Sequence, residues 1–74
     1  MIYIVKKVTD VTYRVKNEMT NNLPTQFTDI HLEFNREPTY WMIQNEVGLY
    51  IMNTTGHTPE YFVVDEFIPY GVEL

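Results

Sequence analysis

Hydrophobic positions recur at a period close to two along most of the chain, which predicts strands. Ile2 to Val8 is rich in β-branched residues and reads as a first strand, closed by a tight turn at Thr9-Asp10. Val11, Tyr13 and Val15 then alternate with Thr12, Arg14 and Lys16, the pattern of a half-buried strand with a wet basic face. Asn17 to Gln26 is polar, includes Asn21, Asn22 and Pro24, and reads as a loop. From Phe27 to Asn35 the alternation returns, with Ile30, Leu32 and Phe34 facing one way and Asp29, His31 and Glu33 the other. Asn35-Arg36-Glu37-Pro38 reads as a turn.

Thr39 to Gln44 and Leu49 to Asn53 predict a hairpin joined by Asn45-Glu46-Val47-Gly48, with the glycine free to take a positive φ. One face of that hairpin, Trp41, Ile43, Leu49 and Ile51, is a natural core. The other holds Tyr40, Met42, Tyr50 and Met52, residue types enriched at protein interfaces. A second turn follows at Thr54-Thr55-Gly56-His57. Thr58-Pro59-Glu60 has the form of a helix start, but Tyr61-Phe62-Val63-Val64 is aromatic and β-branched, and the strand is the preferred reading. Asp65-Glu66-Phe67 is then expected as one helical turn and Ile68-Pro69-Tyr70 as a short edge segment, since Pro69 has no N–H to give a ladder. Five to six short strands in 74 residues predict one all-β or mostly β domain, a small barrel or a strongly bent antiparallel sheet.

Gly48 to Asn53, then Gly56, then Tyr61 to Tyr70 together resemble the distal half of an SH3-like barrel. The pattern is similar to that of many small uncharacterised bacteriophage proteins. The resemblance implies a strand, one 3₁₀ turn and a short closing strand at the end of the chain; the N-terminal half carries no matching signature.

A chain of 8.9 kDa hides only roughly 60% of its extended surface on folding. There is no cysteine, so neither a disulfide nor a thiolate metal site supports the small core. Six Tyr, four Phe and one Trp supply the apolar area instead. Met1 to Lys7 lacks the form of a signal peptide, because its short apolar run precedes the lysines. No segment approaches the ~20 apolar residues of a membrane span. The expectation is a soluble cytoplasmic protein, in the host cytoplasm if phage-encoded, with no membrane partner.

The net charge of −5 is unevenly placed. Lys6, Lys7, Arg14, Lys16 and Arg36 all precede Glu37; from there onward Glu37, Glu46, Glu60, Asp65, Glu66 and Glu73 meet no Lys or Arg. An acidic surface repels phosphate, so direct nucleic-acid binding is not expected, whereas basic partners are steered toward it. The same charge also serves simply to keep an aromatic-rich protein soluble.

Catalytic signals are sparse. Asp29, His31 and Glu33 at i, i+2 and i+4 would share a strand face, which fits a metal or acid–base row less well than an ordinary wet face. His57 sits in a predicted turn, where exposure is the usual outcome. Asn53-Thr54-Thr55 matches a glycosylation sequon, but turn chemistry explains it. Ser and Cys are both absent, which removes the two commonest nucleophiles. The reading is therefore a non-enzymatic protein-binding module without cofactor or metal, a phage-encoded inhibitor of a host or defence protein being its sharpest form. Tyr40, Met42, Tyr50 and Met52 would give affinity, and Glu60, Asp65 and Glu66 steering. The alternative is a structural or assembly subunit that homo-oligomerises through the central hairpin.

Overall fold

The β-branched run at the start of the chain extends past its expected end. In the computed structural model, which describes residues 1–13 and 23–70, β1 runs from Ile2 to Tyr13. Thr9-Asp10 is not a turn. Asp10 lies inside the strand at φ 60, a left-handed conformation that Asp tolerates better than most residues. The pairing register shifts around it, between Thr9 and Thr12. A second irregularity skips Lys6, between Val5 and Lys7. Extra residues of this kind reset the side-chain alternation. Val5, Val8 and Val11, three residues apart, consequently all reach the core, where a regular strand would send one of any adjacent pair to the opposite face.

β2 is Phe27–Glu33 and β3 is Pro59–Tyr70, both antiparallel to β1 in a sheet of order β2-β1-β3. Met1 extends the β1–β2 ladder, its amine donating to the Phe34 carbonyl at 2.7 Å and the Phe34 N–H donating back at 2.8 Å. The preferred strand reading of Tyr61 to Val64 holds, and Pro59-Glu60 joins the same strand rather than starting a helix. The helical turn expected at Asp65-Glu66-Phe67 does not form: these residues continue β3, with Phe67 opposite Val5 and Glu66 opposite Lys7. Pro69 lies on the edge strand β3, opposite Tyr3, the kind of position where a sheet tolerates proline. Val15, Lys16 and most of the predicted 17–26 loop lie outside the described residues; Leu23 to Gln26 is irregular.

The largest correction concerns the centre of the chain. Residues Tyr40–Thr55 form one helix, α1, and not a hairpin. Ile43, Val47 and Ile51, four residues apart, lie on one side of it and are 0–1% exposed. Thr39 caps its start, the hydroxyl accepting the Met42 N–H at 3.2 Å while the Met42 sulfur accepts the Thr39 N–H at 3.5 Å. Gly56 ends it at φ 79, its N–H donating to the Met52 carbonyl at 2.8 Å. Two strong caps and one buried stripe outweigh the β preference of its aromatic and branched residues.

The molecule is therefore mostly β, as expected, but the sheet is open and three-stranded, with one helix packed across it. It is not a barrel of five to six strands. Buried valines and isoleucines of β1, β2, β3 and α1 meet Leu32 and Phe34 in one core. Each such side chain withdrawn from water contributes about 1.5–3 kcal/mol.

Candidate protein-binding surface

α1 carries a single charged side chain, Glu46, in sixteen residues. A surface helix normally turns polar residues outward. This one turns out Trp41, Leu49 and Met52. Trp41, assigned to the core by the hairpin reading, is 71% exposed in the first turn, with the ring of Tyr40 edge-on to it at 5.3 Å. Leu49, also assigned to the core, is exposed as well.

Beside this open side runs a groove of about 310 Å³ between α1 and the start of β3. Gln44, Asn45, Gly48, Leu49 and Met52 line it from the helix, and Thr58, Pro59 and Phe62 from the strand side. Gly48, expected in a turn, instead lets the helix approach Phe62: a Cβ there would stand 3.6 Å from the Phe62 ring. The helix end frames the groove. Thr55 donates its hydroxyl to the Ile51 carbonyl at 2.8 Å and accepts the His57 N–H at 3.1 Å. The Thr58 hydroxyl contacts the Met52 sulfur at 3.9 Å. Gln44 Oε1 is buried at the groove without a hydrogen-bond partner among the described residues, a state that costs about 1–3 kcal/mol.

Tyr40, Met42, Tyr50 and Met52, expected to share a hairpin face, lie on different sides of the helix. Tyr40 leans toward Phe67 at 6.3 Å between ring centroids, Tyr50 stands edge-on to Phe27 at 6.0 Å, and Met42 packs against the core. Of the four, Met52 lines the groove. Period-two reasoning missed Trp41, Leu49 and Phe62; wound on a helix, the same residues separate into a closed side and an open one.

The acidic residues are spread over the fold. Glu37 is in the loop before α1, Glu46 is at mid-helix, and Glu60, Asp65 and Glu66 are exposed along β3. Asp65 accepts the Thr9 hydroxyl at 2.9 Å, and Glu66 faces Lys7 across the ladder. Asp29 has φ 55 and pairs with Lys6 at 3.4 Å, while His31 and Glu33 lie opposite Ile4 and Ile2. Among the described residues no three His, Cys, Asp or Glu side chains are grouped closely enough to hold a metal ion. His57 stands edge-on to Tyr13 at 6.4 Å. Tyr13 donates to the Pro24 carbonyl at 2.5 Å, and burial pushes its phenol above the usual tyrosine value. No helix among the described residues is long and apolar enough to cross a membrane.

No protein-family model, curated protein or solved structure matches this chain.

Proposed function

We propose that this chain is a non-enzymatic protein-binding module that engages its partner through the open side of α1 and the groove shared with β3. The exposure of Trp41 carries the reading: a helix with one charge places its largest apolar side chain in water. Trp is the residue type most often found as an interface anchor. The groove beside it is mostly apolar, with the amides of Gln44 and Asn45 and the hydroxyl of Thr58 among its lining, the composition of a recognition site. A cytoplasmic setting for a cysteine-free chain belongs to the same proposal.

Inhibition of a host or defence protein is the narrower form of this reading. It draws on Glu60, Asp65 and Glu66, whose exposure on β3 suits them to steer a basic partner. Asp65 accepts the Thr9 hydroxyl and Glu66 lies opposite Lys7 in the ladder, so affinity in this reading is left to the apolar surface.

Capture on the immobilised chain tests the proposal. Proteins retained by the wild type are expected to be lost from Leu49→Glu and from Trp41→Ala, while both variants melt as the wild type does. Leu49→Glu sets a charge on the contact, where an unpaired charge is costly. A partner held equally by all three chains would reject the surface.

A further inference from the structure

α1 begins with a sulfur where a capping box ordinarily has oxygen. In such a box the third helical residue is Glu or Gln, and its side-chain oxygen accepts the N–H of the capping residue. Here that residue is Met42, and its thioether sulfur accepts the Thr39 N–H at 3.5 Å. The other half of the box is the usual one, the Thr39 hydroxyl accepting the Met42 N–H at 3.2 Å. A thioether is a weak acceptor, so the Thr39 N–H is poorly held. No acidic residue stands in the first turn to take its place.

Unlike a carboxamide, a thioether can be converted into a better acceptor. Hydrogen peroxide gives one oxygen to a methionine sulfur. An S–O bond forms and the O–O bond breaks. Sulfur loses two electrons, and the peroxide leaves as water with both its protons. The sulfoxide then matches glutamine atom for atom at the end of the side chain: Sδ stands for Cδ, the new oxygen for Oε1 and Cε for Nε2. At Met42, oxidation therefore supplies the oxygen that the box lacks. It does so at the N-terminal end of α1, where the helix dipole favours a negative atom.

The place also suits the chemistry. Thr39 is exposed, Met42 is partly buried, and the bond between them lies in an exposed part of the cap. Met42 packs against the core as well, and a sulfoxide that entered a core would disrupt it. Here the sulfur already faces a backbone donor, so the added oxygen has a partner on the wet side. We propose that Met42 is an oxidative modification site, at which peroxide turns a weak thioether cap into a complete capping box and tightens the start of α1.

Exchange of the Thr39 amide hydrogen with water, followed by NMR, tests it, with oxidation at each methionine read by peptide mass. In the wild type the exchange should slow about two- to tenfold on oxidation of Met42, the effect of gaining one hydrogen bond of ordinary strength. Enzymatic reduction of the sulfoxide should restore the original rate. Met42→Gln should exchange as slowly as the oxidised wild type. Met42→Leu, which keeps the apolar bulk and removes the acceptor, should exchange fastest of all. Neither variant should respond to peroxide at Thr39, although Met1, Met19 and Met52 remain in both and are open to the same reagent.

Met52, 36% exposed, serves as the internal gauge of oxidant dose. An unreacted Met42 at a dose that converts Met52 would overturn the proposal. So would a Thr39 amide whose exchange is unchanged or faster after oxidation, a Thr39 response that persists in Met42→Leu, or loss of helical circular dichroism as Met42 is oxidised.

Discussion

The two sides of α1 are alike in composition and opposite in fate. Ile43, Val47 and Ile51 are 0–1% exposed, while Trp41, Leu49 and Met52, all at least as large, are 71%, 42% and 36% exposed. What separates them is what stands across from each. The closed side meets the valines of β1 and the Ile30, Leu32 and Phe34 side chains of the β2 arm, which fill its gaps. The open side meets Pro59 and Phe62 at its margin, and a groove remains. Apolar character states which side chains gain by leaving water; it does not state which molecule removes them. In this helix the first side is covered by the fold, and the second stays in water.

The contrast is easiest to break from the closed side. Ile51→Ala should cost about 2–5 kcal/mol, through lost burial and the cavity left behind. A domain of this size has about 5 kcal/mol in total, so the variant should be largely unfolded or nearly so in a denaturant titration. A loss below about 1 kcal/mol would mean that the helix is not seated on the sheet as described. Next in size is the cap. Thr39→Ala removes the acceptor of the Met42 N–H and should cost about 1 kcal/mol, read as an earlier midpoint at unchanged slope.

Gly48 probes the border between the sides, with the opposite sign. Glycine inside a helix costs about 1 kcal/mol relative to alanine. A Cβ at this position would stand at ordinary contact distance from Phe62. Gly48→Ala should therefore raise stability by about 0.5–1 kcal/mol. Destabilisation of that size would show that helix and β3 approach more closely than 3.6 Å allows. Had Gly48 been the hairpin glycine that its sequence context implies, the same change would have imposed a strained φ and lowered stability.

That glycine illustrates how far the sequence could be read. β2 followed from alternation and the strand nature of 61–64 from its aromatic and β-branched residues, and both are present. β1 was cut short because Asp10 looks like punctuation, whereas the strand absorbs it as an irregularity at φ 60. In α1 two periods overlap. Trp41, Ile43, Leu49 and Ile51 satisfy a period of two, while Ile43, Val47 and Ile51 satisfy a helical one, and short apolar runs do not decide between them. The caps would have decided. Thr39 stands three residues before Met42, a poor match to the usual Glu or Gln of a capping box, and Gly56 reads as readily as a turn as a helix end. The exposed side of the helix was legible only in part, because a residue's side is fixed by the element it belongs to. Met52 lines the groove, while Trp41 and Leu49, core residues of a hairpin, are exposed on the helix.

The smallest expected effect is the most informative about the comparison. Under the hairpin reading Trp41 is core, and its truncation to alanine would cost about 3–5 kcal/mol. With the indole 71% in water, little burial is lost on truncation. Alanine is also the better helix former, by a few tenths of a kcal/mol. The edge-on contact with Tyr40 is lost in return, worth about 0.5–1.5 kcal/mol where such pairs are buried and less at an exposed site. These terms oppose each other, and Trp41→Ala should change stability by no more than about 0.5 kcal/mol, as for other surface substitutions. The measurement is made at low protein concentration, where any association adds least to stability. At low concentration the wild-type indole should emit as a solvated tryptophan, and an aqueous quencher should reach it. A blue-shifted, protected Trp41 in a dilute monomer, with a large loss on truncation, would move it to the closed side and remove the distinction on which the binding surface rests.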